Sequence, residues 1–136
     1  MSWPEPPEWL RLEVAPRRLA RGGTVTVTID APYDQIADHP RELGLACLAH
    51  HAGSHKTGEG PGVGGRFRVD RQTLTHADWR LLEPSEEGYA PFEFVVPPDA
   101  PYSYEGDVVS FYWAIWLRAE ARVLDREAYV PLVVEP

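Results

Sequence analysis

The sequence predicts an all-β protein, a single antiparallel β-sandwich of about seven to eight strands. Three observations carry this expectation. Apolar residues recur at every second position over short runs, the period of a half-buried strand. Pro and Gly, 14 and 11 of the 136 residues, punctuate the chain so often that few stretches could hold a three-turn helix. The alternating runs are rich in β-branched and aromatic side chains, which fit a pleated surface.

Taken in order, Leu10, Leu12 and Val14 alternate with Arg11 and Glu13, and Pro16 and Gly22-Gly23 mark a bend. Val25, Val27 and Ile29 then alternate with Thr24, Thr26 and Thr28. Residues 34–42 are polar and read as a loop. Leu43 to Ala49 reads as a more buried strand, with Leu43, Leu45 and Cys47 on one face and Leu48 on the other. Residues 50–65, with Gly58, Gly60, Gly62, Gly64 and Gly65, read as a surface loop, because ordering glycines costs entropy and buries little. Arg66 to Val69 opens the next strand, Phe67 and Val69 inward. Thr73 to Leu82 is ambiguous: Thr75-His76-Ala77-Asp78 could cap one helical turn, while Trp79 to Leu82 could be strand. Glu83 to Gly88 is a turn. Phe92, Phe94 and Val96 alternate with Glu93 and Val95. Val108 to Arg118 reads as the longest strand, with Val109, Phe111, Trp113, Ile115 and Leu117 on the core face. Val130, Leu132 and Val134 form a closing strand, in which Pro131 points to an edge position.

A chain of this length can bury roughly two-thirds of its unfolded surface without metal or disulfide staples. Its first eight residues (1–8) read as a Pro-rich tail and residues 9–136 as the sandwich domain. The formal net charge of -8, from 21 acidic and 13 basic side chains, argues against a nucleic-acid partner, whose phosphates demand Lys and Arg. It equally disfavours an anionic membrane surface. No apolar run is long enough to span a bilayer as a helix, and the opening Met1-Ser2-Trp3-Pro4 lacks the basic and apolar regions of a secretion signal, so membrane insertion is not expected. The one cysteine, Cys47, cannot form an intramolecular disulfide, which fits a reducing cytoplasm.

The segment Phe92-Glu93-Phe94-Val95-Val96-Pro97, followed by Pro101-Tyr102-Ser103-Tyr104-Glu105-Gly106 and the aromatic strand from Val108 to Leu117, resembles the arrestin-like family. Leu19-Ala20-Arg21-Gly22-Gly23-Thr24-Val25-Thr26-Val27 is similar to that family's Gly turn and second strand. Arrestins and their relatives usually carry two such domains, and this chain has room for one. The resemblance implies an immunoglobulin-like sandwich and a scaffold or adaptor role, without naming a cargo.

No constellation demands an enzyme, and no cofactor is implied. Cys47, His50, His51 and His55 form the densest group of potential soft-metal ligands. Cys47, His50 and His55 could hold zinc, but a strand would turn Cys47 inward as an inert thiol and send His50 and His51 to opposite faces. No Gly-Lys-Ser/Thr follows the glycines, so they form no phosphate loop. The serines lack a Gly-x-Ser-x-Gly elbow, and the carboxylates cluster in turns. Tyr112 and Trp116 are more telling. They fall on the face of their strand away from the core, which is normally polar. Either the N-terminal segment, with Trp3 and Trp9, covers them, or they form a binding patch. The leading expectation is therefore a non-catalytic module binding a protein partner or itself through this aromatic face or a strand edge. Alternatives are a small-ligand or carbohydrate-binding sandwich, with Trp3, Trp79 or Trp116 stacking on sugar rings, and the Cys47/His50/His55 metal domain.

Overall fold

A computed structural model describes residues 11–30, 39–55, 67–82, 91–120 and 126–136, with side chains throughout these ranges except at 39–41, 52–55, 67–71, 120 and 126. The described residues form nine strands and no helix. These are β1 (Arg11–Ala15), β2 (Arg18–Ala20), β3 (Thr24–Asp30), β4 (His39–His55), β5 (Phe67–Leu81), β6 (Phe92–Val95), β7 (Tyr104–Glu105), β8 (Val109–Glu120) and β9 (Arg126–Glu135). A three-stranded sheet, β1-β3-β6, packs on a larger one in the order β2-β9-β8-β4-β5, with β7 added along β8. The sequence reading does not assign the short β2 and β7.

Period-two burial builds the core. Leu12 and Val14 of β1, Val25, Val27 and Ile29 of β3, and Phe94 of β6 face the larger sheet. That sheet answers with three cross-strand rows: Leu43–Leu117–Ala128, Leu45–Ile115–Val130 and Cys47–Trp113–Leu132. Each Leu, Ile or Val so buried contributes roughly 1.5–3 kcal/mol against the entropy of ordering the chain. The buried Trp113 indole donates its Nε1–H to the Pro101 carbonyl at 2.9 Å, so its one polar atom is satisfied.

The chain passes from one sheet to the other after β1, at a cis Ala15–Pro16 bond. It returns through a turn at Gly22, whose φ of 83° only glycine adopts without strain. Gly22 N–H donates to the Val96 carbonyl at 2.8 Å and Val96 N–H to the Gly23 carbonyl at 2.9 Å, tying this turn to the end of β6.

Several expectations are corrected. The sandwich is not wholly antiparallel, because β2 pairs parallel with β9. The longest strands are β4 and β5, 17 and 15 residues, not β8. Residues 39–42 and 50–55, expected in loops, belong to β4; its irregularity between Pro40 and Glu42 accommodates the proline. Thr75 to Asp78 forms no helical turn. Leu74 and His76 oppose consecutive residues Leu48 and Cys47, so Thr75 is the extra residue of a β-bulge. Its hydroxyl donates to the Cys47 carbonyl at 3.0 Å instead of capping a helix. Pro131 lies in β9, which is flanked by β8 and β2 and is not an edge strand. Yet Val133 N–H points away from β8, to the Arg17 carbonyl at 2.7 Å, and Pro131 shares that direction just beyond the reach of β2. The missing N–H therefore costs the ladder nothing. The expected tail (1–8), the glycine-rich stretch at 56–66 and the turn at 83–88 lie outside the described residues.

Candidate functional site

The face of the larger sheet turned away from the core is built of cross-strand rows. The first runs Trp79 (β5), Gly44 (β4), Trp116 (β8), Tyr129 (β9). Gly44 allows this row to close. A Cβ there would lie 1.8 Å from Trp79 Cε3, so the indole occupies the space a side chain would take. Trp79 thereby meets Trp116 edge-on, ring centroids 4.5 Å apart at 65°. Such a pair contributes about 0.5–1.5 kcal/mol beyond its buried area. The Trp116 indole N–H donates to the Tyr129 oxygen, and the Tyr129 hydroxyl donates to Glu127. Burial first, and then the negative charge and hydrogen bond of Glu127, push the Tyr129 phenol above its ordinary 10.0, while the bond from Trp116 acts the other way.

The second row is small: Ala77, Ala46, Ala114, Pro131. Ala46 and Ala114 are buried. The third row, Leu74, Leu48, Tyr112, rises on the other side, with the His50 ring tilted against Tyr112 at 6.3 Å between centroids. Tyr112 and Trp116, four residues apart, stand about 13 Å from one another along β8, and the alanines form a floor between them. The rim beyond Trp116 is polar, where Arg118 Nε donates to Glu42 Oε2 at 2.9 Å. The most exposed large apolar side chains of this face lie on β5, at the end of the strand order, while Pro131 and Val133 of β9 are also exposed. Leu74 is 49%, Trp79 44% and Leu81 79% exposed.

The structure thus places Tyr112 and Trp116 together on the outer face, both half-buried. Trp3 and Trp9 lie outside the described residues. Cys47 is buried in the core, whereas His50 is on the outer face, so the two do not converge; the His55 side chain is outside the described set. Among the described residues no three His, Cys, Asp or Glu side chains come close enough to hold a metal ion. Gly44, Leu74, Leu81 and Tyr129 are site residues that the sequence reading missed. The one signal for them is the placement of Trp79 opposite Gly44, which needs the strand register to be known.

Burial raises the Cys47 thiol above its ordinary 9.0, against a smaller opposing effect of its hydrogen bond with Thr75. A thiol raised on folding stabilises fully below the unfolded value, and that stability is lost as pH rises above it. Reaction with a thiol-specific disulfide reagent at pH 8 should accordingly be at least tenfold slower in the folded chain than in urea. Equal rates would show the thiol to be accessible.

No family model matches the sequence, and no curated protein matches it. Among solved structures, the chain is similar to Spo0M, a sporulation control protein from Bacillus subtilis, with a TM-score of 0.56 at 16% sequence identity. The match covers 93% of this chain and 49% of that one, so the chain spans about half the length of the protein it resembles. The fold is an arrestin-like β-sandwich. The two-sheet architecture is what the family resemblance implied. Among the described residues no helix is long and apolar enough to cross a membrane.

Proposed function

We propose that this domain is a non-catalytic protein-interaction module. Its partner would bind the outer face of the larger sheet at the β5 end. The observation that carries this reading is the run of exposed apolar side chains, Leu74, Trp79 and Leu81, on an edge strand of 15 residues. Paired tryptophans are the residues that dominate interface energies. Among the described residues the outer edge of β5 has no strand partner, and such an edge can accept one from another chain. The indole pair would anchor the contact and the backbone of β5 would orient it. The regulatory name of Spo0M is in keeping with a role of this kind, and the single free thiol is in keeping with action in the cytoplasm. A sugar-binding reading would use the same indoles, but their edge-to-face arrangement at 65° offers no flat two-ring platform.

The test compares wild type with a Trp79→Ala/Trp116→Ala variant, after circular dichroism has shown both to be folded. Partners co-purifying from the native cell should be held at least tenfold more weakly by the variant, the scale of a two-tryptophan hot spot. Light scattering would show whether the partner is a second copy. Retention of every partner at full strength by the double variant would overturn the reading.

A further inference from the structure

At one end of the larger sheet β8 and β9 part. Their ladder ends at Trp113–Leu132, and the Pro101 to Gly106 turn enters the gap. Ser103 N–H donates to the Val134 carbonyl at 2.8 Å, Val134 N–H donates to Ser103 Oγ at 2.8 Å, and β7 pairs Tyr104 with Phe111 and Glu105 with Ser110. The wedge leaves an open hollow of about 330 Å³. Among its lining residues Tyr112 turns its ring to this outer face, while Phe111 and Trp113 face the core and Tyr104 stands opposite Phe111. Glu105 is the one charged residue lining it, and no basic side chain does. Among the described residues Glu105 makes no ion pair.

A second hollow of about 350 Å³ lies on the other side of Tyr104 and shares Tyr104 and Phe111 with the first. That one contains the chain's own Arg21. Its guanidinium sits over the Tyr102 ring, 5.6 Å from the centroid, and donates to the Ala100 carbonyl at 3.2 Å. The two hollows are alike in volume, yet one holds a cationic side chain of the chain itself and the other does not.

We propose that the hollow between β8 and β9 binds a cationic side chain, an arginine or lysine of the partner protein. The inference rests on the interaction reading above, because Tyr112 belongs both to the outer face and to the hollow. A guanidinium or ammonium over a tyrosine face is attracted by the ring quadrupole. A carboxylate at the same place adds a charge-assisted hydrogen bond. A hollow of about 330 Å³ has room for a basic side chain, and the net charge of -8 draws basic surfaces towards it. An anionic group would meet Glu105 with repulsion, and a neutral apolar side chain would leave the carboxylate unused.

The test uses the full ¹⁵N-labelled chain and four capped tripeptides: acetyl-Ala-Arg-Ala-amide, acetyl-Ala-Lys-Ala-amide, and their citrulline and norleucine isosteres. The basic peptides should give saturable amide shifts at residues 103–105, 111–113 and 132–133, and the neutral isosteres should not. Glu105→Gln, an exposed and conservative change, should raise Kd about fivefold. Absence of shifts, equal shifts with citrulline, or an unchanged Kd in Glu105→Gln would each overturn the inference. The Trp79→Ala/Trp116→Ala variant separates the two readings, since neither residue lines the hollow. Loss of partner in that variant together with silent tripeptides refutes the cation site and leaves the outer face standing. A specific tripeptide response with an undiminished partner does the reverse.

Discussion

Trp113→Ala should lower the unfolding free energy by about 3–5 kcal/mol, the largest effect expected of any single substitution in this chain. Trp113 is 1% exposed and heads the fully buried side chains in volume. It lies between Cys47 and Leu132 in the sheet, with the His76 ring stacked parallel to it at 6.3 Å. Truncation removes the transfer free energy of the indole and leaves a void that a strand flanked on both edges cannot collapse to fill. It also strands the Pro101 carbonyl, which accepts the Trp113 Nε1–H. The segment leading into β7 would therefore loosen as well. Trp113→Phe separates the two contributions. It keeps most of the volume and loses the hydrogen bond, for an expected cost of about 1–3 kcal/mol. Urea denaturation followed by far-ultraviolet circular dichroism checks both. A loss below about 1 kcal/mol for Trp113→Ala would contradict the packing described, given a total stability of roughly 5–15 kcal/mol for a domain of this kind.

Gly44→Ala should be the most disruptive change on the outer face. The added methyl would lie 1.8 Å from Trp79 Cε3, 2.2 Å from Cζ3 and 2.9 Å from the Asp78 carbonyl oxygen. Side chains can move, but the Asp78 oxygen belongs to the ladder, so Trp79 must leave its seat and β5 must shift. Overpacking of this kind costs about 1–3 kcal/mol. The indole–indole contact with Trp116 is lost with it, so the exciton couplet that two close indoles give in far-ultraviolet circular dichroism should disappear and partner binding should fall as in the double tryptophan variant. The decisive measurement is non-additivity. Placed in a Trp79→Ala background, Gly44→Ala has no indole to displace, and its cost should shrink by about 1 kcal/mol or more. Strictly additive effects would mean that Trp79 does not lie over Gly44.

The two predictions rest on parts of the molecule that differ in how well the sequence displays them. The core rows through Leu43, Leu45, Ile115, Leu117 and Val130 were legible because burial on one face alone writes itself as period two. The same logic exposed Tyr112 and Trp116 as large side chains on the wrong face for a core. β5 was hidden for a physical reason. A three-stranded sheet covers only part of a larger one, so β5 carries His76, Asp78 and Arg80 on its inward side, and the bulge at Thr75 shifts the alternation halfway along. Arg80 is served there by the Phe94 ring, 5.2 Å from its guanidinium carbon, which hydrophobic patterning cannot anticipate. β2 and β7 span three and two residues, too few for any period. The importance of Gly44 depends on which residues stand opposite it two strands away, information carried by register and not by any local run.

The seam at β9 has a consequence for how the chain is made. Arg18 and Glu135, which close an ion pair at 2.7 Å, are 117 positions apart, and among the described residues β2 pairs with β9 alone. While a ribosome is still delivering residues 126–135, β8 has one bare edge and Ser103 lacks Val134. The nascent chain cannot complete its sandwich strand by strand. It must wait with aromatic surface uncovered until residues 126–135 have emerged, which makes that interval the period when a holding chaperone matters most.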